Sequence, residues 1–437
     1  MKKLVALISI ILVLALSGCS VMSFQGSDIM CPPNATGNKA EIQELIDSQT
    51  SGEYTLKYPK SGNNRSSIII NDYDKDDEEE AIALYSDDDG DHIHLLFVDY
   101  ANEEYTVIDD ILLTASHIDR IDFSDIDGDK VNEILVGYTT STSSQNTLNI
   151  FKYNKKITQL NISHQYSSLV IGDFTSDKND DVLLISLYSG DIAAKAQLMI
   201  HNNSELVELS SVELDSDIKQ LASATYSQIA YGTYGAVLDG VSSTGDYTTQ
   251  VVFFDPASPA LINPLFSYSG YNSTRRSTQI CSYDYDNNEL IDIPLCSLMQ
   301  HTENEDLSAV SRQINWCNLD TETYALNTSK SSIFCPNDGY MLTMPEKWNN
   351  AVTARYNSKD RTTTIYMIEY IDDAITITDA LVSIKAYSED SFDKNNSGYT
   401  EFLRSGATVY AYSIGTNDSY LSVSGKEISS IFKLVNQ

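Results

Sequence analysis

Acidic residues recur at fixed spacing in loops of this 437-residue chain. In the clearest copy, Asp125, Asp127, Asp129 and Glu133 occupy loop positions 1, 3, 5 and 9, and an apolar run follows at 134–138. Calcium takes six to eight oxygen ligands, and a tight loop can direct side chains 1, 3, 5 and 9 toward one ion. The pattern therefore predicts a loop that binds a divalent cation.

Three further loops repeat the pattern. Their residues at positions 1, 3, 5 and 9 are Asp72, Asp74, Asp76 and Glu80 in the first, Asp173, Thr175, Asp177 and Asp181 in the third, and Asp284, Asp286, Asn288 and Asp292 in the fourth. The loops at Asp72 and Asp125 have four acids each and are expected to bind best. Thr175 and Asn288 keep an oxygen but lose a charge, so weaker binding is expected there.

The same scheme assigns a main-chain carbonyl ligand to position 7, which is Glu78, Val131, Asn179 or Leu290. Calcium is the preferred ion, and magnesium is the lesser candidate because it keeps its waters and demands octahedral geometry. The alternative interpretation is that these loops are solvated acidic turns. The nearby run 87–91 lacks an acid at position 9 and is interpreted as a hairpin turn.

The spacing of the loops predicts an architecture. They begin 53, 48 and 111 residues apart, and the double gap predicts a degenerate copy near Ser227, without acids, before the apolar run 235–238. Units of 40 to 50 residues with several short strands are typical of propeller blades. The predicted fold class is mainly β, with a β-propeller over 51–335 in which five blades are recognisable and six or seven are possible.

The D-x-D-G-D sequence at 125–129 and the D-x-D-x-D sequence at 72–76, each with its carboxylate at position 9, resemble the FG-GAP/VCBS family of calcium-loop β-propellers. This family includes the integrin α-subunit head and bacterial surface proteins. The Phe-Gly and Gly-Ala-Pro landmarks of the family are mostly absent, and Gly128 has no counterpart in the other loops. The resemblance implies a structural calcium between two strands of each blade and a ligand held by other loops, and it does not imply an enzyme.

The first residues are typical of an export signal, with Lys2 and Lys3 before an apolar stretch at 4–16. The sequence 16–19, Leu-Ser-Gly-Cys, resembles the lipobox of bacterial lipoproteins. The resemblance implies removal of 1–18 as signal peptide and acylation of Cys19, which would make the protein extracytoplasmic and lipid-anchored to the bacterial cell membrane. Residues 19–50 are then a tether. The alternative is an uncleaved anchor, but the apolar stretch is short for a bilayer that requires about 20 residues.

Residues 336–437 are predicted to form a small α+β domain. Strands are expected at 362–370, 381–387 and 407–412, with a polar helix at 389–403. Ser424 and Glu427 form the capping-box pattern of a final helix. The opening Gly339-Tyr340, with Pro345 and Trp348, resembles the PsbP-like fold of extrinsic photosystem proteins, which implies a binding or assembly role.

The net charge and the absence of catalytic motifs limit the classes of function that the sequence supports. The formal net charge of −34 excludes the basic surface that nucleic-acid binding needs. The six histidines are scattered, and no H-E-x-x-H, G-x-S-x-G or phosphate-binding glycine loop is present. The preferred hypothesis is therefore a surface module that binds a protein or glycan ligand. The alternatives are a propeller-scaffold hydrolase or lyase and a purely structural envelope partner. Cys281 and Cys296 are either paired in a disulfide or free.

Overall fold

The computed structural model describes residues 37–50, 53–87, 91–160, 163–203, 205–266, 272–372, 374–395, 397–416 and 419–435. The predicted signal peptide 1–18 and the predicted lipidation site Cys19 lie outside the described residues, as does the predicted tether up to residue 36. In the described ranges, no helix has the length and apolar character needed to cross a membrane.

Antiparallel sheets account for most of the described chain, and the first three follow one another in sequence. Sheet 1 contains β1 (Thr55–Leu56), β2 (Ile68–Asn71), β3 (Glu80–Ser86), β4 (His92–Ala101) and β5 (Glu104–Thr114). Sheet 2 contains β6 (His117–Ser124), β7 (Glu133–Thr139), β8 (Asn146–Tyr153), β9 (Ile157–Gln159) and β10 (His164–Tyr166). Sheet 3 contains β11 (Ser168–Gly172), β12 (Asp181–Ser186), β13 (Lys195–Asn202) and β14 (Glu205–Glu213).

Three more sheets and two α-helices follow. Sheet 4 contains β15 (Ile218–Ala230), β16 (Thr233–Ser242), β17 (Tyr247–Asp255) and β18 (Ala260–Ile262). Sheet 5 contains β19 (Ile293–Leu298), β20 (Arg312–Leu319), β21 (Leu326–Cys335), β22 (Tyr340–Thr343) and β28 (Phe432–Leu434). Sheet 6 contains β23 (Val352–Asn357), β24 (Thr362–Ile371), β25 (Ala374–Ser388), β26 (Thr400–Ser405) and β27 (Thr408–Ile414). The helices are α1 (Asn38–Gln49) and α2 (Gly425–Ile431).

Successive sheets pack face to face, and each pair shares a hydrophobic core. Phe97 of sheet 1 packs with Phe151 of sheet 2, and Leu135 of sheet 2 shares a core with Leu184 of sheet 3. Further cores join sheet 3 to sheet 4, sheet 4 to sheet 5, and sheet 5 to sheet 6. The mainly β fold is thus confirmed, and this succession of four- and five-stranded sheets is consistent with a β-propeller.

The strands β3 and β12, which follow the first and third acidic loops, show why the sequence specifies this stacking of sheets. Every residue of β3 and of β12 is buried, including the apolar runs 81–85 and 182–185. A strand that is covered on both faces has no polar alternation, because neither face meets water. The degenerate copy predicted near Ser227 is the β15–β16 hairpin, in which Ser227 pairs with Gly235.

The N-terminal helix covers the outer face of sheet 1. Ile42 and Ile46 are fully buried in a core with Ala81 and Leu96. Residues four apart share one face of a helix, so the two isoleucines form its buried stripe. The helix spans Asn38–Gln49, within the residues 19–50 that were predicted to form a tether.

The C-terminal part returns to sheet 5. The predicted boundary at 335/336 falls within a hairpin, because Cys335 at the end of β21 pairs with Tyr340 at the start of β22. The last strand, β28, then pairs with β22 through Tyr340 and Leu434. The predicted capping box of the final helix is present, with Ser424 Oγ accepting from the Glu427 N–H. The helix ends at Ile431 because Phe432 joins β28.

The prediction of a helix at 389–403 was wrong. This segment has a 3-10 turn at Glu389–Ser391 and then β26. Asp393 accepts the Asn395 N–H at 2.9 Å, and Gly398 has a left-handed φ of 72°. Such local turns compete with the helical hydrogen bonds of a polar segment. Cys281 and Cys296 are free thiols, so they form no disulfide.

Candidate metal centres

The four acidic loops have the same place in the fold. Each ends where a buried strand begins, and the residue before position 1 pairs with the acid at position 9. The pairs are Asn71 with Glu80, Ser124 with Glu133, Gly172 with Asp181, and Tyr283 with Asp292. The first three pairs close the β2–β3, β6–β7 and β11–β12 ladders, whereas the fourth is an isolated bridge before β19. The repeat seen in the sequence is thus a structural repeat.

The loops also share one backbone conformation. Positions 4 and 6 are left-handed in all four, with φ between 60° and 77°; they are Lys75 and Asp77, Gly128 and Lys130, Ser176 and Lys178, and Asn287 and Glu289. A residue with a Cβ pays about 1–2 kcal/mol in this conformation. Seven of these eight residues are not glycine. The loop conformation is therefore imposed by the surrounding contacts and not by residue preference.

Side chains at positions 1 and 5 fold each loop around its centre. Asp125 accepts the Gly128 and Lys130 N–H groups at 2.8 and 2.9 Å, and Asp173 accepts two N–H groups at 3.0 Å. The side chain at position 5 accepts the position-7 N–H in every loop, with distances of 2.8–2.9 Å for Asp76, Asp129, Asp177 and Asn288. Position 5 is thus fixed by a local turn.

The acid at position 9 is buried beneath each loop. Glu80, Glu133 and Asp292 have no exposed surface, and Asp181 is 3% exposed. In three loops this acid accepts the N–H of position 2 at 3.0 Å, as Glu80 does from Tyr73. Burial raises the pKa of Glu80 to about 8 and that of Glu133 to about 7. Burial likewise raises the pKa of Asp181 to about 6. A buried carboxylate of this kind needs a nearby positive charge to be stable in its ionised form.

Three of the loops gather carboxylates that can hold a metal ion. One oxygen from each of positions 1, 3 and 9 lies within 4.8 Å of the others in the groups Asp72–Asp74–Glu80, Asp125–Asp127–Glu133 and Asp284–Asp286–Asp292. In the first group, the buried Glu80 Oε1 has no hydrogen-bond partner in the structure. In the last, the same holds for Asp286 Oδ1. Each of these oxygens belongs to a side chain of its carboxylate group and is available as a metal ligand.

The third loop is different. Its position 3 is Thr175, whose hydroxyl and N–H both donate to Asp181 Oδ2, at 3.1 and 3.0 Å. Because position 3 offers a hydroxyl in place of a carboxylate, the third loop is not among the three carboxylate groups found in the described residues. The predicted ligands outside the three carboxylate groups are Asp76, Asp129, Asp173, Thr175, Asp177, Asp181 and Asn288.

Sequence reasoning missed position 2, which anchors each loop. Tyr73, Ile126, Phe174 and Tyr285 occupy it, and all four are buried. Tyr73 packs against Phe123 and Tyr153 of sheet 2, and Phe174 packs against Tyr226 of sheet 4. An apolar or aromatic residue at position 2 of every copy was the available signal.

Neighbouring loops are also hydrogen-bonded to one another. The N–H of Asn132, at position 8 of the second loop, donates to Tyr73 O in the first at 3.0 Å. The N–H of Asp180, at position 8 of the third, donates to Asp125 O in the second at 3.1 Å. These hydrogen bonds couple the conformation of each loop to that of the loop in the next sheet.

A polar pocket of about 460 Å³ lies where the first strands of sheets 1 to 4 converge. Arg120 and Asp122 of β6 line it as an ion pair, with Arg120 Nη2 3.0 Å from Asp122 Oδ1. Ser124 donates to Asp180 at 2.6 Å, and Tyr226 adds an aromatic wall. The pocket combines hydrogen-bonding groups with the rings of Phe123 and Tyr226, which suits a polar ligand.

Comparisons with known proteins give distant structural similarities. No protein-family model matches the chain, and no curated protein sequence matches it. Among solved structures, the chain is similar to an exotype rhamnogalacturonan lyase, YesX, at 11% identity and a TM-score of 0.29. The similarity covers 72% of this chain and 63% of the lyase, so the chain spans less than two thirds of the lyase's length. It is similar to the Dos1 propeller at 11% identity and a TM-score of 0.32, over 83% of this chain and 95% of that one. A hypothetical protein from Leishmania major gives 10% identity, a TM-score of 0.24, and coverage of 63% and 89%.

Proposed function

We propose that this protein is a calcium-stabilised β-propeller lipoprotein of the FG-GAP/VCBS type that binds a protein or glycan ligand at the bacterial cell surface. The observation that carries the calcium part is the group Asp72–Asp74–Glu80, in which Glu80 is fully buried and one of its carboxylate oxygens has no hydrogen-bond partner. Leaving such a group ionised without a counter-charge is costly. A bound divalent cation removes that cost.

The donor set supports calcium. All the predicted side-chain ligands offer oxygen, and no histidine or cysteine belongs to the three carboxylate groups. Hard oxygen ligands suit calcium and magnesium, and calcium tolerates the irregular geometry of a loop with variable ligands. Asp72, Asp74 and Glu80 would hold the ion in the first loop. Calcium there would neutralise the acids and fix the loop on sheet 2 through Tyr73.

The ligand part rests on the polar pocket at the first strands. Arg120 and Asp122 pair with each other and Asp180 accepts from Ser124, so these groups present hydrogen-bonding edges in fixed directions. Fixed polar groups around an aromatic wall are suited to a hydroxyl-rich glycan or an extended peptide. The rigid sheets would hold this surface, and the calcium loops would keep adjacent sheets in register.

The location is part of the same proposal. Residues 1–18 would direct export, and acylated Cys19 would tether the propeller to the membrane. This location suits calcium loops, because extracellular calcium modules bind with dissociation constants of about 10⁻⁴–10⁻³ M. Labelling with a fatty-acid analogue tests it: wild-type chain should incorporate the lipid, and Cys19→Ala should not.

Thermal unfolding with calcium or with a chelator tests the metal proposal. At a calcium concentration of about 100 times Kd, a site is worth about 2.7 kcal/mol, so melting should rise by several degrees. Asp72→Asn combined with Asp74→Asn should remove a large part of that rise, since the first loop keeps a single acid of its group.

The matched control is Asp91→Asn combined with Asp191→Asn. These two exposed acids carry the same charge change and belong to none of the three carboxylate groups. The control should keep the full calcium-dependent rise. If calcium leaves the melting of the wild-type protein unchanged, the metal proposal is wrong.

A further inference from the structure

Lys152 places an ammonium group inside the second acidic loop. Ile134 pairs with Phe151 across β7 and β8, so the next residues, Glu133 and Lys152, lie opposite each other. Lys152 Nζ lies 2.7 Å from Asp129 Oδ2 and 3.3 Å from Glu133 Oε1, and it also contacts the Asp127 carboxylate. One positive charge is thus shared by three of the four acids of the loop.

The equivalent position differs in the other loops. In sheet 1, Ala81 pairs with Val98, so Asp99 is the residue opposite Glu80. In sheet 5, Asn318 is opposite Asp292 and donates to its Oδ1 at 2.9 Å. The residue that faces position 9 from the neighbouring strand (β4, β8 or β20) is therefore acidic in the first loop, basic in the second and neutral in the fourth.

This residue changes the balance of charge at each site. Asp99 adds a further negative charge opposite Glu80, and like charges at such short range repel one another. Such repulsion is relieved when a divalent cation binds. In the second loop the acids are already neutralised by Lys152, and a calcium ion would have to displace the ammonium and break its contacts.

The ammonium of Lys152 lies among the carboxylates of Asp127, Asp129 and Glu133, so a calcium ion would meet a site that is already occupied. The second loop holds its own cation.

We infer that Lys152 is a tethered cation that takes the place of calcium in the second loop, so that the first and fourth loops take up calcium at concentrations that leave the second without it. The inference rests on the proposed calcium binding. It replaces the expectation, drawn from acid count alone, that the loops at Asp72 and Asp125 both bind best.

Counting bound calcium by equilibrium dialysis and elemental analysis tests this. Lys152→Met should bind one more calcium per chain than the wild-type protein, at a concentration that saturates the wild type. Lys156→Met is the matched control, because Lys156 is an exposed lysine just beyond β8 and forms no ion pair with the loop. It should bind the wild-type number.

The reciprocal change gives a second readout that does not need the Lys152→Met variant to fold without metal. Asp99→Lys should lose one bound calcium, because it places an ammonium opposite Glu80. If Lys152→Met gains no ion while the wild type binds calcium, the inference about Lys152 is overturned and the calcium proposal stands. If neither the wild type nor Lys152→Met binds calcium, the calcium proposal fails as well.

Discussion

Sheet 4 and its neighbours connect two paired strands in different ways. In sheets 1, 2 and 3, a nine-position acidic loop joins the first strand to the second, whereas β15 and β16 pair as far as Ala230 and Thr233 and turn at Tyr231 and Gly232. Gly232 has the left-handed φ of 71° that a tight turn needs. A plain hairpin is therefore sufficient to connect these strands. The longer loops must serve another purpose, which we assign to ion binding.

Sheet 4 also carries its buried charge differently. Arg276 Nη2 donates to Asp239 Oδ1 at 2.9 Å, and both residues are at most 3% exposed. The Ser282 N–H and the Thr249 hydroxyl donate to the same carboxylate at 2.7 and 2.6 Å. The pair fastens the segment before sheet 5 to sheet 4. A covalently attached cation here does what calcium is proposed to do in the loops.

Asp239→Asn should have the largest effect of the changes that probe this comparison. It leaves Arg276 buried without its counter-ion, which typically costs about 3–5 kcal/mol. The loss should be the same in calcium and in chelator, because no acidic loop is touched. Urea unfolding followed by tryptophan fluorescence in both conditions measures it.

Asp246→Asn is the control for this substitution. Asp246 accepts from the neighbouring Arg275 at 3.0 Å, but this pair is exposed to solvent, so its loss should change the midpoint little. A loss for Asp239→Asn that is no larger than for Asp246→Asn would contradict the role given to the buried pair.

The pH dependence of stability should separate the acidic loops from sheet 4. Because the pKa of Glu80 is raised to about 8 and that of Glu133 to about 7, the folded protein keeps protons that the unfolded chain releases above about pH 4.5. The stabilising effect of these protons is complete at lower pH and is lost as pH rises through the folded pKa. In metal-free protein, the melting temperature should therefore fall by several degrees between pH 5 and pH 8.

Calcium should reduce that fall, because the ion replaces the protons as counter-charge. Glu80→Gln should also reduce it in the metal-free protein, since the amide is neutral at every pH. The same substitution should weaken the response to calcium. A melting temperature that rises with pH in the metal-free protein, or a fall that Glu80→Gln leaves intact, would show that these carboxyls are not held as described.

Much of this structure could be predicted from local patterns in the sequence. The acid at position 9 was found because an apolar strand follows it directly, and the final helix was found because Ser424 and Glu427 form a local cap. Lys152 and Asp99 were not found as site residues. They lie about twenty residues beyond their loops. Only the register of β4 and of β8 places them opposite Glu80 and Glu133.

The conformation of the loops gives the last and smallest test of the comparison with sheet 4, where glycine already occupies the left-handed turn. Lys178, at position 6 of the third loop, has φ of 77° and an exposed side chain. Lys178→Gly should relieve about 1–2 kcal/mol of backbone strain and lose about 0.4–1 kcal/mol to the freer unfolded chain, for a net gain of about 1 kcal/mol. Lys156→Gly, at an exposed turn position outside the left-handed residues, should instead destabilise slightly. Chemical unfolding of both variants in chelator measures the difference, and equal effects would mean that the loop does not hold Lys178 in a strained conformation.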